Sequence, residues 1–116
     1  MPTPFVWFDN IGPERSATTK FLGEMFQWSV QDIGPMTFLT QEGQPMPFAA
    51  TCDQMEHVAG WVPYIEVDDL AAQTHRAKGH GAEIIAEGLK GPAGTATFLK
   101  DPGGAVLALW KRGGGA

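Results

Sequence analysis

The chain has 116 residues, of which 43% are hydrophobic and 18% charged, and this composition excludes an intrinsically disordered protein. The net charge is −5, with 8 Lys and Arg against 13 acids, so we expect no nucleic-acid partner, because phosphate binding needs a basic patch. We expect no membrane partner either, since no apolar run approaches about 20 residues; with no signal-peptide pattern and one cysteine, the sequence predicts a cytoplasmic protein.

The chain opens with a predicted strand and helix. Phe5 to Phe8 is a short run of aromatic and β-branched residues, which is typical of a buried strand. In the helix that follows, five apolar residues fall on one stripe, and we expect that stripe to face the core: Ala17, Phe21, Leu22, Met25 and Phe26. Three further strands are predicted over about 28–33, 36–41 and 46–51.

The same order of elements returns after a connection over about 53–60. Tyr64 to Val67 is predicted as a strand, Asp69 as the cap of a helix, and Gly79 as the end of that helix. Leu70, Thr74 and Ala77 are expected to face inward. Strands then follow over about 82–87, 94–100 and 105–110, and the last two are joined by a tight turn from Asp101 to Gly104.

Two sequence matches indicate that the chain is a duplication. Pro4 to Asn10 has the same pattern as Pro63 to Asp69, with a proline, four strand-forming positions, an acid and a turn-prone polar residue. Thr37-Phe38-Leu39 and Thr97-Phe98-Leu99 each follow a Gly-Pro pair, and in both cases the copies lie about 60 residues apart.

The duplication predicts a single domain over 1–116, with one β-α-β-β-β module over about 3–52 and a second over about 61–111. Residues 112–116 are predicted to form a disordered tail because they contain three consecutive glycines.

Three features of the chain carry a family resemblance: the two β-α-β-β-β units, the pair Asp68-Asp69 at the end of the second unit's first strand, and the ending from Asp101 to Trp110. With these features the chain resembles the vicinal oxygen chelate superfamily, which includes glyoxalase I, bleomycin-resistance proteins and extradiol dioxygenases. The resemblance implies an α+β fold, in which two tandem β-α-β-β-β modules form curled mixed sheets around a concave site with the helices on the outer face. It also implies a homodimer. Whether the modules pair within one chain or between two stays open.

The resemblance also predicts which residues of this chain occupy the superfamily's metal-binding positions. Its enzymes usually hold a divalent metal with a histidine near the start of a unit's first strand and a glutamate on the last strand. The resemblance places the histidine position at Val62, with Thr3 as its counterpart, and the glutamate position at Ala108, with Phe48 as its counterpart. None of these is a good ligand, so we expect neither a metal nor another cofactor.

The remaining candidates for a metal or a nucleophile are three histidines and one cysteine. His75 and His80 are not spaced to share one face of a helix, and His57 lies in the connection between the modules. We expect all three to be exposed to solvent. Cys52 is expected to be a small packing residue, because no recognisable motif ties a histidine to it.

Strand alternation from these positions predicts an aromatic and apolar ligand site, and a ligand that is small and flat or apolar. Alternatively, the same residues pack the two sheets together and leave no cavity. The predicted lining residues are Phe5, Trp7, Met46, Phe48, Val62, Tyr64, Glu66, Ala108 and Trp110.

Glu66 is the only acid in that set. A carboxylate among aromatic rings would have a raised pKa and could accept a proton or orient a ligand; alternatively, it reaches water or an arginine at the end of its strand. The main functional hypothesis is a metal-independent binding protein that sequesters or senses a small molecule. The alternative is a glyoxalase-like lyase or isomerase with relocated catalytic residues, Glu66 and Tyr64 being the candidates. A purely dimeric scaffold is a third possibility.

Overall fold

Two successive β-α-β-β-β series make up residues 2–113, the part of the chain that the computed structural model describes. The order of elements and the α+β class agree with the prediction. The strands and helices are β1 Phe5–Ile11, α1 Arg15–Phe26, β2 Ser29–Ile33, β3 Met36–Thr40, β4 Ala49–Cys52, β5 Gly60–Glu66, α2 Leu70–Gly79, β6 Glu83–Lys90, β7 Gly94–Lys100 and β8 Val106–Arg112.

The elements group into two compact units whose limits differ from those of the sequence repeats. One unit runs from Trp7 to Val62, and the other combines the start of the chain, through Val6, with the chain from Pro63 onward. In residues 2–113 neither helix is long and apolar enough to cross a lipid bilayer.

In the unit from Trp7 to Val62, β1 pairs in parallel with β4, which pairs with β3, and β3 pairs with β2. One face of this sheet packs against α1, where Leu22, Leu39 and Ala49 form a buried cluster. On the same side the hydroxyls of Thr19 and Thr51 lie 2.6 Å apart and share a hydrogen bond, which ties α1 to β4.

The other unit repeats this arrangement. β5 pairs in parallel with β8, which pairs with β7, and β7 pairs with β6. Val67, Leu99 and Leu109 form the buried cluster beneath α2. The hydroxyl of Thr74, on α2, donates a hydrogen bond of 3.3 Å to that of Thr97, on β7, so a threonine pair links helix and sheet here as well.

Asp69 caps α2, as predicted: its Oδ1 accepts a hydrogen bond of 3.0 Å from the backbone N–H of Ala72. We expect Asp69→Ala to lower the free energy of unfolding by about 1 kcal/mol, the usual effect of losing an N-cap acceptor. Glu14 is the matched control, because it occupies the N-cap of α1 without a side-chain capping bond. Urea denaturation of both variants checks this, and equal losses would contradict it.

The predicted inward stripe of α1 is wrong. Leu22 is buried, whereas Phe21, Met25 and Phe26 are 59%, 63% and 47% exposed. The helix turns its Thr19 and Leu22 side to the sheet because that side carries the hydroxyl pair with Thr51 and the contact with the core. The predicted stripe and the side that carries Thr19 and Leu22 repeat with the same helical period. The sequence pattern alone therefore did not show which of the two faces the sheet.

Two predicted boundaries also change. The strand predicted over 46–51 begins only at Ala49, so Met46 and Phe48 precede it. Arg112, predicted to belong to a disordered tail, is the last residue of β8. The rest of that prediction, over 114–116, lies outside the described residues.

Candidate functional site

The sheet of the unit that contains α2 has a second face, turned away from the helix, which we call the distal face. Cross-strand pairing aligns Tyr64 with Ala108 and Ala108 with Phe98, and it aligns Glu66 with Trp110 and Trp110 with Ala96. These residues alternate along their strands with those that pack beneath α2, so they form two neighbouring rows on the distal face.

The first row is a packed apolar layer. Ala108 has no exposed surface, Tyr64 is 9% exposed, and the ring of Tyr64 meets that of Phe98 edge to face with centroids 5.9 Å apart. The sequence prediction placed two of these residues, Tyr64 and Ala108, in the lining of a site. The structure brings Tyr64 and Ala108 side by side but buries them, so only neighbouring residues present accessible surface.

The second row is more accessible and carries charge. Arg112 donates two hydrogen bonds to Glu66, from Nε to Oε2 at 2.9 Å and from Nη2 to Oε1 at 3.2 Å. The guanidinium lies 4.9 Å from the centroid of the Trp110 ring. Both the ion pair and the indole are therefore held in one orientation at the edge of the distal face.

Of the two alternatives for Glu66, the structure supports the carboxylate that reaches an arginine, and the raised pKa is wrong. The hydrogen bonds from Arg112 lower the pKa of this carboxyl below its usual value, and the positive charge of the guanidinium acts in the same direction. Glu66 is therefore an ionised hydrogen-bond acceptor and a weak proton acceptor, which disfavours it as a catalytic base. Arg112 was not among the predicted site residues because the last strand was predicted to end at residue 110, although alternation from Trp110 leads directly to Arg112.

The corresponding face of the unit from Trp7 to Val62 holds a buried acid. Phe38 aligns with Ala50 and Ala50 with Asp9, in a row like that of Phe98, Ala108 and Tyr64. Trp7 lies edge to face with Phe38 at 5.6 Å, and its Nε1 donates a hydrogen bond of 2.7 Å to Oδ1 of Asp9, which is 4% exposed.

Asp9 and Phe38 were missed as parts of this face. Asp9 was interpreted as a turn residue because the first strand was predicted to end at Phe8, whereas β1 continues to Ile11. The alternation of Trp7 and Asp9 along one strand was the signal that could have revealed the acid.

Cys52 lies beside this acid. Burial raises the pKa of the thiol to about 12, and the negative charge and hydrogen bond of Asp9 add to the effect. The protonated thiol agrees with the expected packing role and opposes a role as a nucleophile.

The structure separates Met46 and Phe48 from the Trp7 side of the sheet. Met46 is 71% exposed in the connection before β4. Phe48 packs edge to face on Trp28, with centroids 4.8 Å apart, against the cluster beneath α1. Phe5, at the start of β1, is 54% exposed.

The residues at the superfamily's metal positions do not fit a divalent ion. Val62 and Ala108 are buried and offer only carbon, and Phe48 is engaged with Trp28. The Thr3 hydroxyl donates to the carbonyl of Pro4 and accepts from the backbone N–H of Glu66. From residue 2 to residue 113, no group of three or more His, Cys, Asp or Glu is placed to hold a metal ion.

The histidines are exposed, as predicted. His57 has 76% of its side chain exposed and lies 3.9 Å from Glu56, while His75 and His80 are exposed on and just after α2.

Comparison with known proteins finds similar sequences and similar structures, although no family model matches the chain. CFP32 of Mycobacterium tuberculosis (strain CDC 1551 / Oshkosh), named as a glyoxylase, is 30% identical over 118 residues, which cover 90% of this chain and 44% of that protein. The anthracycline biosynthesis protein DnrV of Streptomyces peucetius is 27% identical over 128 residues, covering 92% of this chain and 46% of that protein.

The chain thus spans less than half the length of these relatives. The crystal structure of a glyoxalase/bleomycin resistance protein/dioxygenase superfamily member from Vibrio splendidus 12B01 has the same fold, with a TM-score of 0.64 and 12% identity over 90% of this chain and 96% of that one. Together with the repeated β-α-β-β-β series, these similarities show that the chain belongs to the vicinal oxygen chelate superfamily, as a glyoxalase-like member.

Proposed function

We propose that the chain is a metal-independent binding protein that sequesters or senses a small aromatic or apolar molecule in the cytoplasm. The observation that carries the proposal is the composition of the distal face. Ala108, at a superfamily metal position, offers only carbon, and the half-buried indole of Trp110 lies two residues along the same strand. A face of this kind favours dispersion and stacking over coordination.

The ion pair gives this surface a defined shape. Because Glu66 holds Nε and Nη2 of Arg112, the guanidinium is fixed above the indole, and Nη1 makes no bond to that carboxylate. We propose that a flat ligand packs beside Trp110 and that Nη1 donates to a polar oxygen on it. The name of DnrV, an anthracycline biosynthesis protein, supports an aromatic ligand, since anthracyclines contain fused aromatic rings.

The test is a thermal-shift and fluorescence screen of planar aromatic compounds, including doxorubicin, followed by titration of each hit. We expect at least one compound to bind, and Trp110→Ala to weaken its affinity about tenfold or more, because an aromatic contact is worth about 1 kcal/mol beyond its buried area. Trp110 is a better residue to replace than Trp7, because the Nε1–H of Trp7 donates a hydrogen bond to the buried Asp9 and replacing Trp7 would remove that bond.

Trp61→Ala is the matched control, because Trp61 is a 46% exposed indole whose side chain alternates with Val62 and Tyr64 along β5. Affinity should be unchanged in this variant. A screen without hits, or equal affinities in the wild type and Trp110→Ala, would contradict the proposed site. Stoichiometric Zn, Ni, Mn or Fe that survives dialysis would contradict metal independence.

A further inference from the structure

The ion pair on the distal face uses only one edge of the guanidinium. Glu66 accepts from Nε and Nη2 of Arg112 in two roughly parallel bonds of 2.9 Å and 3.2 Å. A guanidinium has a second edge, formed by Nη1 and the remaining N–H of Nη2, on which two N–H groups again point in one direction. Neither of these N–H groups takes part in the bonds to Glu66. The second edge of Arg112 is therefore a pair of donors with a fixed direction.

This second edge is accessible from solution. The side chain of Arg112 is 65% exposed, whereas that of Glu66 is only 25% exposed. The carboxylate thus lies on the protected side of the ion pair, and the guanidinium lies on the open side. A small molecule that approaches the distal face meets the guanidinium before it meets the carboxylate.

The backbone beneath the ion pair is held on both sides. The N–H of Glu66 donates to Oγ1 of Thr3 at 3.0 Å, and the N–H of Thr3 donates to the carbonyl of Glu66 at 3.1 Å. The next residue, Val67, donates its N–H to the carbonyl of Trp110 at 2.8 Å. The donors of Arg112 are therefore oriented before a ligand arrives, which lowers the entropic cost of binding.

The indole of Trp110 lies next to these donors because Gly94 leaves room for it. A Cβ atom on Gly94 would lie 2.6 Å from Nε1 of Trp110, so the indole rests closely against β7. Gly94 pairs across the strands with Arg112, whose guanidinium carbon is 4.9 Å from the centroid of the indole. An aromatic surface and a directed pair of donors are thus side by side.

We infer that the ligand of the proposed site is an aromatic carboxylate, an assignment that rests on the proposed function and narrows it. The two oxygens of a carboxylate are spaced to accept both N–H groups of a guanidinium edge at once, and the negative charge strengthens both bonds. The aromatic ring attached to that carboxylate packs on the indole of Trp110. The guanidinium of Arg112 then lies between two carboxylates, one from Glu66 and one from the ligand.

Other ligand classes use the second edge less well. A carboxamide presents a single oxygen, so it accepts from one N–H group and turns its own NH₂ group towards the other. An aromatic ammonium ion brings a positive charge close to Arg112 and is repelled. The arrangement therefore discriminates between flat molecules of similar size by the group that they carry.

Isothermal titration calorimetry with 2-naphthoate and 2-naphthamide tests the assignment, because these probes have nearly the same shape and differ in charge. We expect 2-naphthoate to bind about tenfold more tightly than 2-naphthamide, since hydrogen bonds between charged partners are roughly twice as strong as neutral ones. Trp110→Ala should weaken the binding of both probes, because both place a ring on the indole.

Arg112→Lys separates the shape of the guanidinium from its charge. Lysine keeps the positive charge but has no planar pair of donors, so the affinity for 2-naphthoate should fall about tenfold and that for 2-naphthamide should change little. Lys111→Gln is the matched control, because the exposed side chain of Lys111 alternates with those of Trp110 and Arg112 along β8. This variant loses a charge from the same strand and should bind 2-naphthoate as the wild type does.

The possible results distinguish the ligand class from the site itself. Equal affinities for the two probes, both weakened by Trp110→Ala, overturn the aromatic carboxylate and leave the proposed site in place. A loss of 2-naphthoate binding in Lys111→Gln as large as in Arg112→Lys also overturns it, because general charge would then explain the preference. Failure of the wild type to bind either probe overturns the aromatic carboxylate, and the wider screen of planar compounds then decides whether the site binds any ligand.

Discussion

Folded protein should react with 5,5′-dithiobis(2-nitrobenzoate) at pH 8 about 10³-fold more slowly at Cys52 than urea-unfolded protein does. The thiolate is the reactive form, and burial together with Asp9 raises the pKa of Cys52 from 9.0 to about 12. At pH 8 the thiolate fraction falls by the corresponding factor. Stopped-flow absorbance measures both rates, and equal rates would show that the thiol is not buried beside the acid.

The same shift has a consequence for stability. The folded-state pKa lies above the unfolded value, so the folded protein retains a proton that the unfolded chain loses between pH 9.0 and about 12. The contribution of Cys52 to stability is therefore complete below pH 9.0 and is lost as the pH rises towards 12.

Asp9→Asn separates the two causes of the raised pKa. Asparagine keeps an oxygen acceptor for Nε1 of Trp7 but removes the negative charge, so labelling of Cys52 should accelerate about tenfold. Asp53→Asn is the control, since the charge of Asp53 is the smallest of the effects on this thiol. The control should label close to the wild-type rate.

Gly94→Ala is expected to lower the free energy of unfolding by about 3 kcal/mol, the upper range for overpacking a filled site. A Cβ atom on Gly94 would lie 2.6 Å from Nε1 and 2.7 Å from Cε2 of Trp110, and it would also clash with the backbone carbonyl of Lys111. Because Lys111 belongs to the neighbouring strand, neither obstacle can move without disturbing the pairing of β7 with β8. Urea denaturation measures the loss.

Gly91→Ala provides the matched control, because the nearest atom to its added Cβ is the carbonyl oxygen of Gly94 at an ordinary 3.8 Å. A loss of less than about 1 kcal/mol is expected there. Equal stabilities of the two variants would contradict the close approach of Gly94 to Trp110. A shifted emission maximum of Trp110 in Gly94→Ala would support it.

Local patterns were sufficient to predict most of the fold. The two Thr-Phe-Leu segments occupy β3 and β7, where Phe38 and Phe98 each face an alanine on the adjoining strand. The predicted turn after β7 forms as well, with Oδ1 of Asp101 accepting hydrogen bonds from the N–H groups of Gly103 and Ala105, both at 2.9 Å. These features depend on residues close in sequence, which is why the pattern revealed them.

The parts of the candidate site that sequence analysis missed depend on contacts distant in sequence. The pKa of Glu66 is governed by Arg112, which is 46 positions away. The rotation of α1 is governed by the hydroxyl pair between Thr19 and Thr51, and the placement of Phe48 by a ring contact with Trp28. Neither periodicity nor spacing encodes such partners, because each depends on which helix face or strand end the tertiary packing selects.

The parallel pairing of the first and last strand in each series has a consequence for folding. Phe8 pairs with Ala49, and Tyr64 with Ala108, so neither central pair can form until the whole series has left the ribosome. Thr3 also donates its backbone N–H to the carbonyl of Glu66, within the unit that contains the later part of the chain. The segment through Val6 must therefore wait for the chain from Pro63 onward, and we expect the unit that contains both to close later than the unit from Trp7 to Val62.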